Sequence, residues 1–198
     1  MRSSFDVDRA RLLELLLALS YAEREVTLSS GQKSHFYIDC KQAVLTGEGH
    51  FLVGRLFFQL LQQGEVRGAR HAACGGLTMG ADPLASALAL TAYLGGRDLH
   101  AVYVRKEAKG HGTGAFLEGT GAVPAGARVV VVEDVVTTGN ASKTAVERLR
   151  AHGFVVDTVL TIVDRGAGGR EALAQVGLEL HALFGLNDFP ARNTQRSP

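Results

Sequence analysis

Cysteine is scarce. The 198 residues contain two, Cys40 and Cys74, far apart, with no CxxC pair and no His/Cys cluster at zinc spacing. A disulfide-stapled scaffold and a zinc module are thereby excluded, and two free thiols in a reducing cytosol are expected. An excess of one charge sign is also missing, since 21 Lys and Arg stand against 20 Asp and Glu. That balance gives no broad electrostatic footprint for nucleic acid, so no nucleic-acid partner is expected. Long apolar runs are absent too. LLELLLALSYA is interrupted by Glu14, and Asp6 and Asp8 stand where a signal peptide would be basic. No run approaches the roughly 18 apolar residues of a membrane span, so the chain is read as cytoplasmic with no membrane partner. No linker, low-complexity block or internal repeat stands out. One domain over 1–198, with 46% apolar residues to fill its core, is the natural reading.

What is present alternates. A first helix beginning near Asp6 or Asp8 leads into TLSSGQKSHFYIDCK, two extended pieces around a Ser-Gly turn. GEGHFLVGRLFFQLLQQG has helical spacing, HAACGG reads as a buried strand, ADPLASALALTAYL as a helix and LHAVYVRK as a strand. After a glycine-rich segment come the strand ARVVVVEDVV, a helix, the strand FVVDTVLTIVDR, the helix GGREALAQVG and the strand LELHALFG. Strands alternating with helices predict an α/β fold, a central parallel sheet covered on both faces. A small amino-terminal helix and hairpin over 1–45 would sit as a hood on a core over 46–198, with a flexible loop at 107–119. Ligands of such sheets bind beyond the carboxyl ends of the strands. GGLTMGAD, RKEAKGHG, EDVVTTGN and VDRG all fall at those ends or beside them.

The stretch VVVVEDVVTTGNAS poses the chemical question, because it sets two carboxylates against a run of small residues able to cradle an anion ahead of a helix. It lacks the order of a nucleoside triphosphate loop, and no dinucleotide fingerprint follows the first strand. Carboxylates accept from hydroxyls and hold magnesium through water. A ribose 5-phosphate, with an anion at one end and vicinal hydroxyls beside it, satisfies both halves. The plainer alternative is an acidic pair at a strand end before an ordinary helix.

This stretch resembles the phosphoribosyl pyrophosphate motif of the type I phosphoribosyltransferases. TLSSGQKSHFYIDCK, GGLTMGADPLA, RKEAKGHGTGAFLEG and VDRGAGGREAL, in that order, look like the orotate phosphoribosyltransferases over nearly the whole chain. The resemblance implies transfer of ribose 5-phosphate from phosphoribosyl pyrophosphate to orotate, with magnesium as cofactor, in a homodimer whose sites are shared across the interface. It carries phosphoribosyl pyrophosphate binding onto Glu133, Asp134, Val135, Val136, Thr137, Thr138, Gly139, Asn140 and Ala141. Arg105, Lys106, Lys109 and His111 are the candidate cations for the departing pyrophosphate, and Lys109, His111 and Asp134 the candidate catalytic residues. Glycines around Lys109 and His111 would let the loop reorganise and exclude water. The plainer reading of this run is a solvated basic loop.

Orotate bears a carboxylate, so its pocket needs a cation. Arg165 ends a strand and offers a planar fork, unless a local ion pair with Asp164 or a neighbouring acid absorbs it. Family members contact orotate at the positions of Arg165 and Thr137, and Phe36 and Tyr37 are candidates for the base pocket or for core packing. No dedicated protein metal ligand is expected, the magnesium resting mainly on substrate and reaching carboxylates through water. The chain departs from one branch of the family at Ser29 and Met79, where that branch has lysines, and Lys33 is a candidate replacement for the first. Asn140 stands where a second glycine is usual and would tolerate a left-handed backbone. A purine or uracil phosphoribosyltransferase shares the EDVVTTG logic, and a regulator sensing the same sugar phosphate would need a nucleic-acid-binding segment that is not seen.

Overall fold

The computed structural model describes residues 3–27, 33–65, 70–108 and 116–190, and for 23–27 and 33–36 it describes the backbone alone. Helix α1 spans Ser4–Leu19, and Ser3 caps it by accepting the Asp6 N–H while Asp6 accepts from Ser3 in return. The helix therefore starts before Asp6. Strands β1 (Tyr21–Thr27) and β2 (Lys33–Ile38) form an antiparallel hairpin. A short helix, α2 (Lys41–Val44), and then α3 (Gly47–Glu65) lead to the sheet.

The remaining elements alternate as expected: β3 (Ala73–Leu77), α4 (Asp82–Leu94), β4 (His100–Val104), β5 (Leu117–Glu118), β6 (Val129–Val136), α5 (Asn140–Ala151), β7 (Thr158–Asp164), α6 (Gly169–Ala174) and β8 (Glu179–Gly185). The sheet order is β5-β4-β3-β6-β7-β8, parallel throughout except for β5, which pairs antiparallel with β4. Besides the start of α1, β1 ends at Thr27, where the TLSS stretch read as the first extended piece begins, and two further boundaries differ from the sequence reading. Leu117–Glu118 is paired strand rather than loop. Arg105 and Lys106 lie just past the end of β4 instead of finishing it.

Burial on both faces explains why β6 is a continuous valine run. Val130 and Val132 join Leu56, Phe57, Leu84 and Leu88 on the face covered by α3 and α4. Val129 and Val131 pack on the other side with Ala145, Val146 and Leu149 of α5. Leu12 and Leu16 of α1 are fully buried in the first of these clusters, together with Phe184 of β8. The amino-terminal helix is thus part of the main core, and the hairpin extends from it.

Candidate active site

Chain direction reverses in the middle of the sheet. β3 and β6 are neighbours, yet the chain runs from β3 outward to β4 on one side and from β6 outward to β7 on the other. In open α/β sheets such a switch leaves a crevice past the carboxyl ends of the two strands. Here the turn after β3 meets the end of β6. A Cβ added at Gly80 would lie 3.0 Å from Asp134 Oδ1, so glycine is what leaves the carboxylate room. The Thr78–Met79 peptide in that turn is cis, and the Met79 side chain is exposed.

Glu133 and Asp134 are adjacent on a strand, and adjacent residues point to opposite faces. Glu133 is buried against α5, where the Ser142 hydroxyl donates to its Oε2 at 3.4 Å. Burial, and after it the neighbouring charge of Asp134, push the Glu133 carboxyl up to about 8, so it is largely protonated at neutral pH. Asp134 lies on the other face. Its Oδ1 accepts the Val135 N–H at 2.8 Å, and its Oδ2 lies 3.6 Å from Lys41 Nζ. Lys41 also sits 2.7 Å from Asp39. Burial lowers the Lys41 pKa, but the hydrogen bond to Asp39 and the charge of Asp134 outweigh it, and the net shift is upward. One carboxyl is therefore a buried, near-neutral hydrogen-bonding group, and the other is a charged acceptor at the crevice.

The cradle follows directly. Gly139 adopts φ +77°, a left-handed turn that favours glycine, and α5 begins at the next residue without a side-chain cap. The first intrahelical bond runs from the Lys143 N–H to the Gly139 carbonyl, leaving first-turn N–H groups for an anion. Among the described residues no non-glycine has positive φ. Asn140 is thus the first residue of the helix and not a left-handed one, because Gly139 alone makes the turn. Glu133 and residues 135–142 line a cavity of about 340 Å³. A larger hollow, about 630 Å³, opens between Glu65, His71, Asp157 and Glu179 at the amino ends of the strands, away from the switch point.

Arg165 follows β7, and its N–H donates to the Val136 carbonyl at 2.9 Å, tying it to the end of β6. It is half-buried, and burial lowers the pKa of its guanidinium. Asp164, the ion-pair partner considered for it, is engaged by Arg170 at 3.1 Å and by the Gly166 N–H at 2.9 Å. Tyr37 is partly buried on β2, opposite Ala22. Phe36 and Lys33 are placed by their backbones, whereas Ser29, Lys109 and His111 lie outside the described residues. Of the candidate cations that are described, Lys106 is exposed and Arg105 pairs with Glu118 at 3.2 Å.

Three site residues were not anticipated from the sequence: Asp39, Lys41 and Ser142. For the first two the available signal was the charged pair flanking Cys40, directly after the strand that ends at Ile38. Magnesium fits this donor set. An ion that keeps its waters and leans on substrate phosphates needs only one or two carboxylates. Asp134 offers one.

The model of the phosphoribosyl transferase domain matches residues 49–178. The orotate phosphoribosyltransferase of Thermosynechococcus vestitus is 49% identical over 92% of this chain and 93% of its own. A crystal structure of the Mycobacterium tuberculosis orotate phosphoribosyltransferase with Fe(III) dicitrate superposes with a TM-score of 0.77, at 41% identity over 91% of this chain and 98% of that one. The same enzyme in complex with 5-phospho-alpha-D-ribosyl 1-diphosphate gives 0.74 at 39% identity, with the same coverage. With the crevice, the cradle and these likenesses in agreement, the chain belongs to the orotate phosphoribosyltransferases, pentosyltransferases of the phosphoribosyl transferase domain family.

Proposed function

We propose that the crevice between β3 and β6 takes phosphoribosyl pyrophosphate with its 5-phosphate in the 137–141 turn and its ribose hydroxyls on Asp134. Orotate then stacks toward Arg165 and the Phe36–Tyr37 strand. The observation that carries this reading is the uncapped start of α5 directly after β6, the strand whose end sets the Asp134 carboxylate against the Gly80 turn. The first-turn N–H groups orient the phosphate, and Thr137 and Thr138 line the same hollow. Glu133, protonated, can donate to as well as accept from a hydroxyl. Arg165, anchored to the end of β6, presents a fork to the orotate carboxylate or ring carbonyl.

The reaction breaks the bond between the sugar and pyrophosphate and forms one from the sugar to a ring nitrogen of orotate, releasing pyrophosphate and orotidine 5'-monophosphate on the route to UMP. No covalent enzyme nucleophile is needed if the sugar turns oxocarbenium-like early. The residues then act by holding the leaving charge, and Arg105, Lys106, Lys109 and His111 are the cations assigned to that task. Asp134 would hold magnesium through water, and the bound ion would neutralise pyrophosphate oxygens. Cys40 and Cys74 are free and buried, which suits a reducing cytoplasm.

A homodimer fits the surface. Leu90, Tyr93 and Leu94 share one face of α4 and are 56%, 73% and 77% exposed, an apolar patch that a second copy would cover. The deciding assay offers phosphoribosyl pyrophosphate and magnesium with orotate, uracil, adenine or hypoxanthine and follows base consumption. Consumption of orotate alone is expected, and consumption of any other base in its place would overturn the assignment.

A further inference from the structure

One guanidinium grips both ends of the segment that carries Lys109 and His111. Arg148 lies on α5, about 12 Å along the helix from Asn140 at the usual rise per residue. Its Nη1 donates to the Arg105 carbonyl, and its Nη2 donates to the Lys106 carbonyl at 2.9 Å. The face of the same group covers the Phe116 ring, with Cζ 4.2 Å from the centroid. The Arg105 N–H donates to the Phe116 carbonyl at 2.8 Å and closes the neck between outgoing and returning chain.

A basic residue in the last turn of a helix ordinarily serves the helix dipole. Arg150, two residues on, matches that role more closely, its guanidinium donating to the carbonyls of Val156 and Val176 beyond the end of the helix. Arg148 turns to the loop neck, and it uses what only a guanidinium has: two parallel N–H donors and a flat face for an aromatic ring. Lysine would reach one carbonyl at a time and could not lie flat on Phe116. The other end of the same helix supplies the phosphate cradle, so α5 connects the cradle rigidly to the neck.

We infer that Arg148 is a positioning residue for the transfer reaction. It registers the Arg105–Lys106 stem and Phe116 against the helix that holds the 5-phosphate, and so sets where Lys106 stands relative to the ribose. This rests on the functional reading above, in which Lys106 meets pyrophosphate.

The test is steady-state kinetics of the full-length protein with both substrates varied, for wild type, Arg148→Met, Arg148→Lys and Arg148→Ala. Methionine keeps length and apolar cover for Phe116 but removes the donors. Arg148→Met is expected to lose about tenfold to a hundredfold in kcat/KM for phosphoribosyl pyrophosphate, the scale for lost hydrogen bonds from a charged group. The KM for orotate should stay within about twofold of wild type, because Arg165 and Thr137 are untouched. Arg148→Lys should recover only part of the loss, and millimolar methylguanidine should raise the activity of Arg148→Ala. A merely structural arginine would give neither substrate-selective loss nor rescue by a small guanidinium.

Wild-type kcat/KM for phosphoribosyl pyrophosphate in Arg148→Met overturns the inference. So does a rise in the KM for orotate as large as the loss in kcat/KM for phosphoribosyl pyrophosphate, without rescue. Should Arg148→Met fail to fold, Phe116→Leu decides, since it must show the same selective loss. If wild type itself fails to consume orotate, the functional reading has failed and not this one.

Discussion

Two carboxyls side by side in sequence have been given different jobs by the faces they occupy. Glu133 is buried and pushed up to about 8, so replacing it with its neutral isostere changes little at neutral pH. Asp134 pairs with Lys41, and hydrogen bonds to a charged acceptor are worth roughly 1.5–3 kcal/mol. Asp134→Asn is therefore expected to lose at least about tenfold in rate at saturating substrates while retaining the fold. Glu133→Gln should lose clearly less under the same conditions. Parallel kinetics of the two variants check this, and an Asp134→Asn rate equal to wild type would make that carboxylate structural only. Arg165 permits a second separation. Arg165→Lys keeps the charge but loses the fork, so orotate binding should weaken while phosphoribosyl pyrophosphate binding is spared. Titration of each substrate by calorimetry reads the two effects apart. A defect confined to phosphoribosyl pyrophosphate would move Arg165 to the other half of the site.

At the scale of elements, the parts of the chain that were readable are those where local pattern and global burial agree. ARVVVVEDVV became β6 because a parallel strand buried on both faces must be apolar throughout, and the turn after it was visible in TTG. The charge-rich YAEREVT gave no strand signal, since β1 owes its form to pairing with β2 rather than to its own alternation. Lys41 and Arg148 escaped notice because their partners, Asp134 and the Arg105–Lys106 carbonyls, are distant in sequence. Only the sheet order brings them together. The amino ends of the strands carry a cluster that was equally illegible. His71 is buried with Nδ1 2.8 Å from Glu65, which Arg97 also holds, while Asp157 lies 3.7 Å from Nε2 and Arg128 pairs with Asp157. Burial lowers the His71 pKa below the ordinary 6.5 despite the pull of Glu65. The unfolded chain then binds the extra proton first as pH falls, so this contribution to stability is complete above 6.5 and is lost below it. Burial pushes Glu65 up, but Arg97 and the His71 N–H pull it further down, so its contribution is present above 4.5 and lost only at lower pH. Thermal midpoints measured from about pH 7.5 down to about 2.5 should fall in two stages, and His71→Gln should remove the first and keep the second. An unchanged first stage in that variant would assign it to another group.

For the whole molecule, the question is which subunit a loop serves. RKEAKGHGTGAFLEG is too polar a sequence to pack beneath a sheet, and under the proposed function its cations have to reach a phosphate site. The neck at Arg105, Lys106 and Phe116 is fixed to α5 of its own chain, and the exposed face of α4 offers a surface for a second copy. In a cyclic dimer, a segment that left that neck and crossed the two-fold axis would meet the partner's site in the same way in each subunit. Lys109→Ala damages the loop and Asp134→Asn the crevice, so exchanging subunits between the two variants discriminates. If loops act across the interface, each mixed dimer contains one site with an intact loop over an intact crevice and one site with both lesions. Random exchange makes about half the dimers mixed, so roughly a quarter of all sites should regain wild-type activity. If each loop serves its own subunit, every site keeps one lesion and activity stays at the level of the parents. Exchange is confirmed independently with differently tagged subunits. Confirmed exchange without recovery would rule out sharing and leave the chemistry at Asp134, Arg165 and the cradle as it stands.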